Sequence, residues 1–124
     1  MELFFGSHKI SGGNVASGNL VAFSIPDLGV KFKAPYAADN KVLDYAALLT
    51  LLEFIEINPQ LFTNRALELY CNNYDLVSQV KNSRVEDIEL APFLRKALEY
   101  RNKLRFSLNW IPAPDNPAQN LEIN

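Results

Sequence analysis

Few residues in this chain have the types and placement for reaction chemistry, and most of them have a plain structural reading beside the chemical one. Asp44 stands at the start of a helical stretch, where a carboxylate interacts favourably with the helix dipole. It is also the kind of oxygen donor that a hard divalent cation takes. Asn72 and Asn73 follow an apolar run, where their side chains suit a strand-end turn bonded to local backbone. His8 is the one histidine and lies in the first hairpin. Cys71 is the one cysteine, at the inner end of a predicted strand, where a thiol behaves as a small hydrophobe. Gly6, Gly12, Gly13 and Gly18 lack the Lys-Ser/Thr of a phosphate-cradling loop and read as hairpin geometry. Arg95, Lys96, Arg101, Lys103 and Arg105 form the densest basic run, with Glu99 inside it. That is a solvated helix face before it is a phosphate patch, since no aromatic platform interleaves it. Trp110 fits the inner face of the last strand better than a base-stacking role.

The elements that must position these groups follow from periodicity. Residues 2–5 and 20–25 are short apolar segments on either side of the Gly-Ser-rich stretch 6–19. Pro26-Asp27-Leu28-Gly29 is a turn, and Val30-Lys31-Phe32-Lys33-Ala34 alternates with period two. Three antiparallel strands result. Val42 to Ile57 lacks Gly and Pro and predicts a helix of about four turns, with Asp39 or Asn40 as cap. It is apolar almost all round, so it requires burial on more than one side. Ala66–Cys71 is a fourth strand, Tyr74–Val80 a short helix capped by Asn73, Leu90–Lys103 a further helix, and Leu104–Ile111 a fifth strand. The stretch 112–119 is a proline-pinned loop. The order βββαβ-α-αβ predicts an α/β domain over residues 1–124 with a mixed five-stranded sheet, parallel where the helical crossovers occur.

Bulk properties narrow the function. The 124 residues suit one domain, 48% are apolar and the formal net charge is −2, which argues against strong autonomous nucleic-acid binding. One cysteine excludes an intrachain disulfide. No signal-like N-terminus and no spanning apolar run are present, which leads us to expect a cytoplasmic protein without membrane contact.

The local stretches resemble type I ribonuclease H and its superfamily. Phe5-Gly6-Ser7 stands where that family has Asp-Gly-Ser at the end of the first strand. Asn40-Lys41 precedes Asp44, the helix carries Ala46-Ala47, and Glu53 lies nine residues beyond Asp44, as after the family's helix-opening Glu. Cys71-Asn72-Asn73 and Tyr74-Asp75-Leu76-Val77 resemble the fourth strand's Asp and the Tyr-Val step that follows. Trp110-Ile111, the loop 112–119, Asn120 and Asn124 resemble the last strand, its loop and the final Asp. The resemblance implies two-metal phosphodiester hydrolysis, in which clustered carboxylates hold Mg²⁺ or Mn²⁺. The four matched positions hold Phe5, Asp44, Asn72 and Asn124, and only Asp44 keeps a carboxylate. A site with fewer metals would need Glu2, Asp115 or Glu122 to turn inward.

The expectation is therefore a domain without catalysis and without a resident metal, Mg²⁺ or Mn²⁺ at Asp44 belonging only to the alternative nuclease reading. Lys31, Lys33, Arg95, Lys96, Arg101 and Lys103 are the candidates for weak RNA or DNA binding. The family continues into a further helix where this sequence stops, which leaves a sheet face to be covered. With the all-round apolar helix, that predicts self-association as a homodimer and a structural or protein-interaction role.

Overall fold

The computed structural model describes residues 1–9 and 19–120. Eight regular elements follow the expected order. They are β1 (Glu2–Lys9), β2 (Asn19–Ile25), β3 (Val30–Pro35), α1 (Asn40–Ile57), β4 (Leu67–Cys71), α2 (Tyr74–Asn82), α3 (Ala91–Leu104) and β5 (Phe106–Trp110). The strands form one sheet in the order β3-β2-β1-β4-β5. β1–β2 and β2–β3 pair antiparallel, whereas β1–β4 and β4–β5 pair parallel.

One face of that sheet carries all three helices. Register puts Phe32, Phe23 and Phe5 in a row, and Phe23 stacks on Phe32 at 4.8 Å and meets Phe54 of α1 at 5.2 Å. Leu3, Leu69 and Leu108 form the next row, and Leu67 stands beside Phe106. Apart from the partly buried Phe32, these side chains are buried under α1, α2 and α3. The opposite face carries Glu2, Phe4, Lys31, Lys33, Glu68, Tyr70, Ser107 and Asn109. Phe4 and Tyr70 stack there at 5.3 Å, and the Tyr70 hydroxyl donates to Glu68. Alternation of apolar and polar residues decides which face is which, most plainly in β3.

α1 answers its own all-round apolarity. Leu43, Ala47, Leu48, Leu51 and Leu52 are buried, and the helix packs on β1 and β2 with one side and on α3 with another. The burial it requires is supplied within the chain, so α1 itself calls for no second copy. No helix among the described residues is long and apolar enough to cross a membrane.

Four local expectations are corrected. β1 runs on to Lys9, because Gly6 and Ser7 continue the ladder with β2 rather than opening a loop. Leu104 ends α3 instead of starting β5; Arg105, in the left-handed region at φ 53°, makes the reversal. Asp39 precedes α1 without a side-chain capping bond, while Asn73 does cap α2 by accepting from the Leu76 N–H at 3.0 Å. Trp110 sits on the helical face but at its margin, 47% exposed and edge-on to Tyr74, so it is not a core residue.

Candidate functional site

The carboxyl ends of β1 and β4 meet the first turns of α1 and α2 at the point where the strand order reverses direction, a common place for ligands in open α/β sheets. Asp44 projects there from α1. Its two oxygens are both engaged: the Ser7 hydroxyl donates to Oδ1 at 2.7 Å, and the Asn73 amide donates to Oδ2 at 2.9 Å. Asn73 thus caps α2 with its carbonyl and holds Asp44 with its amide.

Phe5 points into the core, fully buried. Register from Phe4 and Tyr70 places Cys71 beside Phe5 on the helical face, also buried, and Cys71 donates to the Asn73 carbonyl oxygen at 3.7 Å. The strand-end position on the Asp44 side of the sheet is therefore Cys71. Asn72 does not meet Asp44; its side-chain oxygen accepts from the Asn116 amide at 2.9 Å. Asn124 and Glu122 lie outside the described residues. Glu2 stands at the far end of β1, opposite Glu68, and takes no part here. Asp115 lies exposed in the short turn Ala113–Asp115.

The loop after β5 supplies a group of residues that the sequence reading passed over. β4 stops pairing with β1 at Phe4, so the β1 carbonyls beyond it face an empty edge. Asn116, fully buried, donates from Nδ2 to the Phe5 carbonyl at 2.9 Å, and its Oδ1 accepts from the Ala118 N–H at 3.0 Å. Gln119 donates to the Ser7 carbonyl at 2.6 Å, and His8 Nε2–H donates to the Ala118 carbonyl at 2.7 Å. Asn120 turns back on its own loop, donating to the Pro114 and Asn116 carbonyls. Gly6 lies beneath this strap, and a Cβ there would stand 2.5 Å from the Gln119 side-chain oxygen, so any larger residue would displace that side chain.

Burial pushes the Cys71 thiol up to about 12; the Asn73 backbone opposes this and the Asp44 charge adds to it. The thiol is thus protonated and presents no thiolate. Below the thiol's ordinary value of 9.0 it is protonated folded and unfolded, so its share of stability is fully present. As pH rises towards 12 only the unfolded chain ionises, and stability falls by at most about 1.4 kcal/mol per pH unit. Urea unfolding across this range is expected to show that decline, and Cys71→Ala to make it shallower. Tyr45, raised mainly by burial and then by Cys71, keeps part of the slope in the variant.

These residues do not fit a pair of divalent ions. Such a pair needs several anionic oxygens to offset its charge. Here one carboxylate faces a hydroxyl hydrogen, an amide N–H₂ and a protonated thiol. No group of three His, Cys, Asp or Glu able to hold a metal occurs among the described residues.

The basic candidates do not converge on this end. Arg101 donates to the Val80 carbonyl at 2.7 Å and to Ser83 Oγ at 3.1 Å, tying α3 to the end of α2. Lys103 pairs with Glu56 at 3.2 Å, Lys96 with Glu99 at 3.8 Å, and both lie near the Tyr100 ring. Arg95 is exposed on α3. Lys31 and Lys33 are on the opposite face of the sheet from α3, so the six do not form one patch.

No protein-family model and no curated protein sequence matches the chain. Solved structures do. An LC11-RNase H1 isolated from compost by a metagenomic approach superposes with a TM-score of 0.77 at 13% identity, over 96% of this chain and 89% of that one. LC11-RNase H1 in complex with an RNA/DNA hybrid gives 0.73 at 18% identity, over 97% and 91%. RNase H1 from the halophilic archaeon Halobacterium salinarum gives 0.66 at 21% identity, over 96% and 90%. With a five-stranded mixed sheet in the order 3-2-1-4-5 and its helices on one face, the chain has a ribonuclease H-like fold.

Proposed function

We propose that this chain is a non-catalytic ribonuclease H-like module, with a structural or protein-interaction role exercised through self-association in the cytoplasm. The observation that carries the reading is the state of Asp44: both of its oxygens are taken, by Ser7 and Asn73, and among the described residues no group of three His, Cys, Asp or Glu able to hold a metal forms there. An RNA/DNA hybrid incubated with the protein in Mg²⁺ or Mn²⁺ is expected to remain intact. Mn²⁺-dependent cleavage that Asp44→Ala abolishes would overturn the reading in favour of a nuclease with an altered site.

A second reading, weak nucleic-acid binding without hydrolysis, is favoured by one observation: a similar structure was solved with an RNA/DNA hybrid. It predicts a hybrid mobility shift that disappears as salt rises, because phosphate contacts release counterions. Lys31→Ala with Lys33→Ala, and separately Arg95→Ala, would tell which face contacts the hybrid.

A further inference from the structure

The two edges of the sheet differ in a way that bears on partners. β3 is one edge, and it carries Lys31, Lys33 and a terminal Pro35, the features that natural edge strands use to prevent pairing with another chain. β5 is the other edge. Its sequence Phe-Ser-Leu-Asn-Trp has no charge and no proline, and among the described residues it pairs with β4 alone. The Ile111 N–H donates to the Cys71 carbonyl at 2.9 Å, which fixes the alternation along the strand. Asn109 and Ser107 therefore direct their backbone groups towards β4, and Phe106, Leu108 and Trp110 direct theirs outwards.

We infer that the β5 edge pairs antiparallel with β5 of a second copy of this chain, about a two-fold axis at Leu108, making one continuous sheet. In that register each outward N–H and C=O of Phe106, Leu108 and Trp110 finds a partner. On the helical face Phe106 stands opposite Trp110 of the second copy and Leu108 opposite its own image. On the other face Ser107 stands opposite Asn109 of the second copy. Aromatic and apolar cross-strand pairs of this kind are favourable. Charge decides which edge is used. The nearest charge, Arg105, falls opposite Ile111 of the second copy, so no like charges meet. The same operation on β3 about Phe32 would set Lys31 against Lys33 in both halves. The pairing also sets Phe106 of the second copy against the exposed Trp110, beside the Tyr74 ring that its own chain turns edge-on to it.

This surface rests on the self-association reading above. Light scattering on the full chain at micromolar concentration is expected to give twice the monomer's 14.0 kDa. Combining Ser107→Lys with Asn109→Lys, which brings lysines face to face, is expected to weaken dimerisation by more than about tenfold. Mixing a Ser107→Cys chain with an Asn109→Cys chain under mild oxidation is expected to give a disulfide-linked heterodimer; this arm decides the matter if the double lysine variant fails to fold. A wild-type mass of 14.0 kDa overturns both the surface and the self-association reading. A dimer that survives the lysines, or that does not cross-link in the mixture, overturns the β5 surface and leaves self-association standing. None of these outcomes bears on Asp44, whose reading is tested by cleavage.

Discussion

Replacing Phe5 with aspartate is expected to cost more than about 4 kcal/mol, and so to remove much of the 5–15 kcal/mol typical of a domain. The substitution restores the acid that the ribonuclease H resemblance places at the end of the first strand, yet the surroundings no longer receive one. Phe5 is fully buried in the row with Phe23 and above Cys71. Removing the ring alone costs about 3–5 kcal/mol in a packed core. The new carboxylate would stand beside Cys71 in the buried core, and its desolvation would add to the loss. Chemical denaturation of the variant at neutral pH measures the effect. A midpoint corresponding to less than about 1 kcal/mol of change would overturn the placement of this side chain in the core.

The second large effect is expected at Asn116. Its amide satisfies the Phe5 carbonyl and the half-buried Asn72 side chain, and its oxygen receives the Ala118 N–H; the first and last of these bonds are buried. Asn116→Ala leaves these three groups without their partner, at about 1–3 kcal/mol for each that water cannot reach. We expect a loss of about 3 kcal/mol. Asn116→Asp is nearly isosteric but is expected to be worse, because a carboxylate sets negative charge against two acceptors that formerly received hydrogens. Protonation restores a donor, so the Asp variant should gain on the Ala variant as the pH is lowered through the carboxyl range. Unfolding curves at neutral and acidic pH compare them. An Asp variant as stable as wild type at neutral pH would contradict the donor role assigned to this amide.

Much of the fold could be read from the residues. The alternation of Val30 to Ala34 identified β3 and its two faces, and the uninterrupted run to Ile57 identified α1. The missed boundaries have local causes. Gly6 and Ser7 suggested a loop because they hold no side chain that a strand needs, but cross-strand pairing to Val21 and Ala22 decides their conformation. Leu104 fits the apolar phase of α3 and of β5 equally, and a non-glycine residue in the left-handed region, Arg105, gives no warning of where one stops. At the site, Asp44 was found from its position in the helix. Asn72 was matched to a relic acidic position by its motif; here it bonds Asn116 rather than Asp44, a partner 44 residues away that no local spacing announces. The strap was missed for a different reason. Asn116 and Gln119 bond to backbone carbonyls, an arrangement that imposes no spacing; the one available hint was the rigidity conferred by Pro112, Pro114 and Pro117 around an otherwise unremarkable amide.

The strap has a consequence for how the chain is made. β1 is the centre of the sheet, but the amide that completes the Phe5 carbonyl follows 111 positions later in the chain. Its parallel neighbour β4 also arrives only after β2, β3 and α1 have emerged. During elongation the β1–β2–β3 hairpins can form while the other side of β1 waits, so an early intermediate presents that open strand to whatever is near. Such exposed edges are where nascent chains meet chaperones or each other. Final closure is then a long-range event, and contacts of such sequence separation slow folding.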